Sequence, residues 1–217
     1  GSEMCIRDSS LGANVLAARF YASGKEKEMS ETVHTSITLA LISGLVMALA
    51  GVLLARFALN LMGTPNDVID QSVLYMRIYF LGMPFFMLYN YGAAILRAVG
   101  DTKRPLFFLV ISGMTNAVLN LVLVIVFHMG VAGVAIGTIV SQLISSILVL
   151  RCLYTSNTSY RLYFSKLGIK TQYLKQIFQV GIPAGIQSTV INLSNALLQS
   201  SVCLLYTSDA ADDSLRV

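Results

Sequence analysis

The chain has 217 residues, of which 55% are hydrophobic and only 12% charged, with a formal net charge of +4 and a mean hydropathy of +0.71. Soluble domains carry about 25% charged residues, so this composition excludes a water-soluble enzyme or nucleic-acid-binding domain and points to a polytopic membrane protein. There is no phosphate-binding loop, and the three cysteines have no metal or redox spacing.

The first element in chain order is not an apolar helix. GSEMCIRDS, Gly1 to Ser9, is polar, and at the other end CLLYTSDAADDSLRV, Cys203 to Val217, turns abruptly acidic. Both read as translated sequencing-adapter DNA. GGC TCG GAG ATG TGT ATA AGA GAC AG encodes GSEMCIRD and the start of a serine codon, and TGT CTC TTA TAC ACA TCT GAC GCT GCC GAC encodes CLLYTSDAAD. Residues 1–9 and 203–217 are therefore expected to be adapter-derived, not native. Setting both tails aside removes two arginines and five acids, leaving 13 basic and 6 acidic residues and a net charge of +7.

Between the tails, SLGANVLAAR (10–19) reads as the end of one membrane span. Four complete apolar runs follow, at about 34–58, 72–96, 106–128 and 131–151, with a fifth at about 177–202. A bilayer core of about 30 Å is crossed by roughly 20 helical residues, and hydrocarbon offers no partner to an open backbone. The expected fold class is thus all-α, a transmembrane helical bundle. The connections alternate in charge. Segments 19–31, 97–104 and 151–175 carry 11 Lys and Arg, while 62–71 and 128–133 carry none. By the positive-inside rule the basic connections face the cytoplasm. Arg56 and Arg77 lie near the opposite ends of their spans, where long side chains snorkel to the interface. The 151–175 connection, with LYTSNTSY and then the weakly amphipathic LGIKTQYLKQIF, reads as a linker with an interfacial helix leading into the last span. Gly181-Ile182-Pro183 is expected to open that span.

Inside the spans, Gly44, Ala48, Gly51 and Ala55 repeat at helical spacing, a stripe of small residues that lets helices approach closely. In the 72–96 run, Tyr75, Tyr79, Gly82, Phe86 and Tyr89 share a stripe, with Asn90 toward the basic end. Pro84 stands mid-run, where it removes a backbone hydrogen bond and should kink the helix, so it is the hinge candidate. Asn116 and Asn120 share one face of the 106–128 run, about 6 Å apart along the axis, with Gly113 opening space beside them. The 131–151 run carries Gly133, Gly137 and Ser141, with Thr138, Gln142 and Ser145 on an adjacent polar face. The last run carries Gln187, Ser188, Asn192, Asn195 and Gln199. Amides are costly in hydrocarbon unless paired, and polar faces on three spans suggest a shared water-accessible cavity. The substrate-cavity candidates are Tyr79, Phe86, Tyr89, Asn90, Gln142, Gln187, Asn192 and Asn195. No Asp, Glu or Lys sits mid-membrane in these runs.

The stretches ANVLAARFYASGKEKE, YFLGMPFFMLYNYGAAILRAVGDTKRP, NAVLNLVLV, GVAGVAIGTIVSQ and VGIPAGIQSTVINLSNALLQSSV, in that order, resemble the multidrug and toxic compound extrusion (MATE) family over about residues 10–202. The resemblance implies a twelve-helix transporter of two six-helix lobes. Residues 10–151 would form a partial N-lobe from the end of its second helix through its sixth, 152–176 the cytoplasmic inter-lobe linker, and 177–202 the first helix of the C-lobe. It implies a multi-pass protein of the cell membrane, as in a bacterial inner membrane. Its partners would be the bilayer and a small organic substrate, with no nucleic acid, and the full-length protein would be a monomer. The expected activity is secondary antiport, exporting organic cations and drug-like amphipathic compounds in exchange for Na⁺ or H⁺, with no cofactor, no metal and no bond chemistry. The fragment by itself is expected to be inactive. Some prokaryotic relatives use an acid on the first helix, an Asn-x-x-x-Asp pair on the fifth and a Thr on the sixth. Here Asn116 matches that Asn, Asn120 stands where the Asp would be, and Thr138 matches the Thr, making these three the cation-site candidates. The alternatives are a lipid-linked oligosaccharide flippase of related fold, which a strongly cationic lumen would favour, and a non-transporting membrane scaffold, in which the polar faces would only pack.

Overall fold

The computed structural model describes the backbone of residues 2–61, 66–156 and 158–214 and the side chains of 10–61, 68–156, 158–195 and 197–199. The sequence readings that fall on the side chains of 1–9 and 203–217, the two adapter-like tails, lie outside the described residues, as does part of the 62–71 connection. The described residues form seven α-helices: α1 (Ser2–Ala22), α2 (Glu26–Leu61), α3 (Asn66–Leu81), α4 (Met83–Ala98), α5 (Lys103–Leu121), α6 (Gly130–Thr155) and α7 (Thr171–Ser214). There is no strand among the described residues.

Three helices, α2, α5 with its continuation to Val126, and α6, are long and apolar enough to cross a membrane, and α3 with α4 makes a fourth crossing bent by 42°. With these helices the chain is a multi-pass membrane protein. The outward faces of α2 and α5 are rows of exposed apolar side chains such as Leu45, Leu49, Leu53, Phe107, Met114 and Val118. In water such rows would be a liability. Against lipid tails they are the ordinary surface, because the solvent is as apolar as leucine.

The 72–96 run is two helices rather than one. The break falls at Gly82, whose N–H donates to the Tyr79 carbonyl at 3.0 Å and whose carbonyl accepts from Phe85 and Phe86, each at 3.1 Å. Pro84 lies in the first turn of α4, where its missing N–H costs nothing because first-turn donors have no intrahelical partner. The bent pair nests against α2 through the small-residue stripe. Gly44, Ala48, Gly51 and Ala55 are all buried. A Cβ on Gly44 would come within 2.6 Å of the Pro84 Cα, and one on Gly51 would overlap the Phe80 ring. Helix α6 packs on the other side of the bent pair, α5 packs on α6, and α1 lies between α4 and α7. A hydrogen bond from Asn14 Nδ2 to the Ala94 carbonyl, 2.9 Å, ties α1 to α4.

The largest fully buried side chains include Met29, Val33, Ile95, Leu96, Leu153, Leu162 and Ile177. All of them come from the helix ends that carry the basic connections, so the packed core is concentrated at that end. There the segment between α6 and α7 folds back onto α2. His34 is 4% exposed. Its Nε2 accepts the Tyr163 N–H at 3.0 Å, which leaves Nδ1 to donate to the Ser30 carbonyl at 2.6 Å. The Tyr163 ring stacks on the imidazole. Thr35 Oγ1 accepts from the Lys170 N–H. Beside them burial pushes the Tyr173 hydroxyl above the usual tyrosine range, with a hydrogen bond to Glu31 adding to it. At the opposite end the only ion pair among the described residues is Arg56 with Asp70, 3.8 Å and well exposed.

Two expectations are corrected. Gly181-Ile182-Pro183 does not open the last helix. Helix α7 begins at Thr171 and runs continuously through Pro183, because the segment expected as a separate interfacial helix continues directly into the span. And α5 does not remain α-helical to 128. It passes into a π-helical turn at Val122–Val126, with Phe127 N–H reaching the Val122 carbonyl five residues back. The chain then reverses through His128 and Gly130, both with positive φ.

The close approach at Gly44 predicts that Gly44→Val lowers stability by roughly 1–3 kcal/mol, the usual cost of overpacking. Gly113→Ala, where an added Cβ meets nothing within 4 Å, should be neutral or mildly stabilising. Thermal unfolding of both variants in detergent checks the pair.

Candidate functional site in the interface of two apolar helices

Helices α5 and α6 bring their polar residues face to face. Asn116 Nδ2 donates to Thr138 Oγ1 at 3.3 Å and to Ser141 Oγ at 3.2 Å. Asn120 Nδ2 donates to Asn116 Oδ1 at 3.0 Å. One turn back, Ser112 Oγ donates to the Ser141 carbonyl at 2.6 Å. The two hydroxyls of α6 are oriented by their own helix: Thr138 donates to the Val134 carbonyl and Ser141 to the Thr138 carbonyl. Both therefore present lone pairs toward α5. Asn116 is fully used, with both amide hydrogens and its oxygen engaged. Asn120 is not. Its Oδ1 is buried without a hydrogen-bond partner, and it lies against Gly137, where an added Cβ would overlap it.

An unpaired buried carbonyl oxygen in an apolar interface is unfavourable by roughly 1–3 kcal/mol. A cluster of oxygens with one lone acceptor is chemically suited to a cation or a proton donor. The backbone beside it is irregular as well, since the π turn starts two residues after Asn120, and such turns are frequent at functional sites. Asn116, Asn120 and Thr138 are thus brought together. Ser112 and Ser141 complete the cluster. Ser141 reads from the sequence as part of a packing stripe and Ser112 as an ordinary small residue, although Ser112 falls one helical turn from Asn116 and Ser141 one turn from Thr138.

The remaining residues are distributed differently. Gln142, half-buried on α6, reaches the break in the bent pair, where its Oε1 would lie 2.7 Å from a Cβ on Gly82. Pro84 lies in the turn that follows that break. Tyr79 stacks on Tyr75, with ring centroids 6.2 Å apart, and contacts Phe80 edge-on. Phe86 packs at the margin of the core. The Tyr89 hydroxyl donates to the Pro105 carbonyl at 2.9 Å. Asn90 is 5% exposed and donates to the Phe86 carbonyl of its own helix, so that amide is spent locally. Gln187 and Asn195 are exposed and Asn192 half-buried on α7, which packs chiefly on α1. The α7 amides therefore lie apart from the α5–α6 cluster, so the polar faces of three spans, expected to line one shared cavity, do not come together: two of them meet in direct hydrogen bonds and the third stands elsewhere. Among the described residues no group of three or more His, Cys, Asp or Glu is placed to hold a metal.

The MatE family model matches residues 9–122. The chain is 32% identical over 200 residues to the "Probable multidrug resistance protein YoeA" of Bacillus subtilis, covering 88% of this chain and 43% of that protein. It is 33% identical over 170 residues to "Probable multidrug resistance protein YpnP" of the same organism, covering 77% and 38%. Among solved structures, an outward-facing multidrug resistance MATE family transporter superposes with a TM-score of 0.82 at 21% identity, over 91% of this chain and 44% of that one. An inward-facing one gives 0.77 at 22%, over 84% and 42%. The chain thus spans less than half the length of the relatives it matches.

The contact at Gly137 generates a coupled prediction. Gly137→Ala should displace the Asn120 amide and destabilise by about 1 kcal/mol, the scale of one hydrogen bond in a membrane. In an Asn120→Ala background the same change should be near neutral. A double-mutant cycle on thermal stability in detergent measures the coupling, and additive effects would show that the two residues do not meet.

Proposed function

The chain belongs to the MatE family, the multidrug and toxic compound extrusion transporters, and from that premise we propose that its protein is a secondary antiporter of the plasma membrane. It exports organic cations and drug-like amphipathic compounds in exchange for Na⁺ or H⁺. The observation that carries this reading is the α5–α6 cluster, with its buried and unpaired Asn120 oxygen. The drug-resistance function in the names of the Bacillus subtilis relatives supports the substrate class.

On this reading the chemistry is a conformational switch with no bond made or broken. Asn120 Oδ1, Thr138 Oγ1 and Ser141 Oγ supply oxygen ligands to a desolvated cation, as backbone carbonyls do in ion filters. The amides contribute no charge, so a carboxylate elsewhere in the protein balances the ion. Occupancy by the ion and by substrate then shifts the balance between inward- and outward-open arrangements of two lobes. Bending at Gly82 and Pro84, next to Gln142 of α6, gives the cluster a mechanical neighbour. A change in α6 at the site is transmitted to the bent pair through a side chain that already touches it.

Reconstitution of the full-length protein in vesicles tests the coupling. Imposing a Na⁺ gradient and a pH gradient separately, one of the two should drive uptake of a fluorescent organic cation, and Asn116→Ala should reduce the driven rate at least about tenfold at unchanged insertion. Uptake insensitive to both gradients sinks antiport. Access to the site is tested in a full-length background with every native cysteine, Cys152 among them, replaced by Ser. Asn120→Cys should react with a membrane-impermeant thiol reagent in at least one conformational state, and lack of labelling in every state would reduce the cluster to packing.

A further inference from the structure

A built cavity lies at the basic end, away from the α5–α6 cluster, where the segment between α6 and α7 folds over the start of α2. Its volume is about 720 Å³, within the range of small-ligand sites. Four cationic side chains line it, Lys27, Arg161, Lys166 and Lys170, and none of the four has an ion-pair partner among the described residues. Two acids also line it, Glu26 and Glu31, but each is engaged elsewhere. Glu26 sits in the first turn of α2, where its charge complements the positive end of the helix. Glu31 hydrogen-bonds the Tyr173 hydroxyl. With four cations against two acids, the cavity carries a net positive charge.

The arrangement of the cations is specific. The Arg161 guanidinium lies 5.7 Å from the Tyr154 ring centroid and 5.2 Å from that of Tyr163, and Lys166 Nζ sits 5.1 Å from the same Tyr163 ring. Aromatic contacts stabilise such cations without neutralising them. Tyr163 is itself fixed by its N–H bond to the buried His34. Arg161 is thus pre-positioned, half-buried, with its Nε lacking any acceptor. The hydroxyls of Ser30, Thr158 and Ser159 line the same cavity and supply neutral donors. A held guanidinium with nearby ammoniums and hydroxyls is the donor set that phosphate oxygens take.

We propose that this cavity binds a phosphate group, carried either by an anionic phospholipid headgroup of the adjoining leaflet or by a soluble phosphate ester. Binding joins the α6–α7 segment to α2 through one shared anion and so fixes that segment on the bundle. The site is independent of the transport reading, since it uses none of the α5–α6 residues.

The test uses the full chain, purified in detergent and delipidated. In the lipid arm, native mass spectrometry compares retention of phosphatidylglycerol with phosphatidylcholine. In the soluble arm, thermal unfolding is followed with inorganic phosphate or glycerol 3-phosphate against chloride at equal ionic strength. The variants are Arg161→Gln and the double variant Lys166→Gln/Lys170→Gln, whose two lysines are exposed and so spare the fold. The control is Lys103→Gln/Lys175→Gln, which removes the same charge outside the cavity. The expected result is a preference for phosphatidylglycerol of about tenfold or more, a single strong polar contact's worth, lost in the cavity variants and kept in the control. Stabilisation by phosphate and glycerol 3-phosphate without lipid preference, again lost only in the cavity variants, supports the site with a soluble ligand. Two results overturn it: no response in either arm, or a response that falls equally in the control, which is diffuse surface charge.

Discussion

Hydrocarbon cannot accept or donate a hydrogen bond, and the arrangement of this bundle follows from that constraint. Most hydroxyls and amides in the spans answer it locally, by folding back on their own helix. Thr32, Thr38, Thr115, Thr138, Thr189 and Ser194 each donate to a carbonyl four residues earlier, and Asn90 does the same with its amide. Such a bond by itself ties no two helices together, although the Thr138 hydroxyl also accepts from Asn116 across the α5–α6 interface. The few that cross between helices are therefore the informative ones. Asn14 reaches α4, and Ser112 and Asn116 reach α6. Asn120 closes the last of these networks yet leaves its own oxygen unpaired.

Close approach of backbones is the second consequence. Without a hydrophobic force between helices, packing depends on shape, and the shape here is set by absent side chains. The glycines at 44 and 51 admit Pro84 and Phe80 of the bent pair. Gly92 admits Val149 of α6, and Gly137 admits the Asn120 amide. The same device thus seats the bend and presses the polar cluster closed. The bend in turn sits beside Gln142, so the α2 stripe, the break at Gly82 and the polar face of α6 form one connected run of contacts.

The two ends of the bundle differ in kind. The basic end is densely packed, with the α6–α7 segment latched through His34 and Tyr163 and through Thr35 and Lys170. Toward the other end the described helices spread apolar faces to the surroundings. Helix α5 is almost entirely exposed apart from its polar face.

Much of this was legible in the residues. Composition alone dictates a membrane protein, because 12% charge cannot clothe a water-facing surface. Apolar run lengths locate the spans, the small-residue stripe of α2 marks a packing face, and Asn116, Asn120 and Thr138 stand out since an amide in hydrocarbon demands a reason. These are properties of single helices, and a single helix is written in its own periodicity. What the residues did not decide depends on which helix faces which. The α7 amides have the same spacing logic as those of α5, yet they lie apart because α7 packs on α1. Ser112 and Ser141 look like ordinary small residues until α5 and α6 meet. The π turn after Asn120 and the unbroken course of α7 through Pro183 are likewise not written in the periodicity of their apolar residues. The cationic cavity at the basic end is assembled from residues more than a hundred positions apart. Periodicity along one chain fixes faces, and only tertiary packing decides what each face meets.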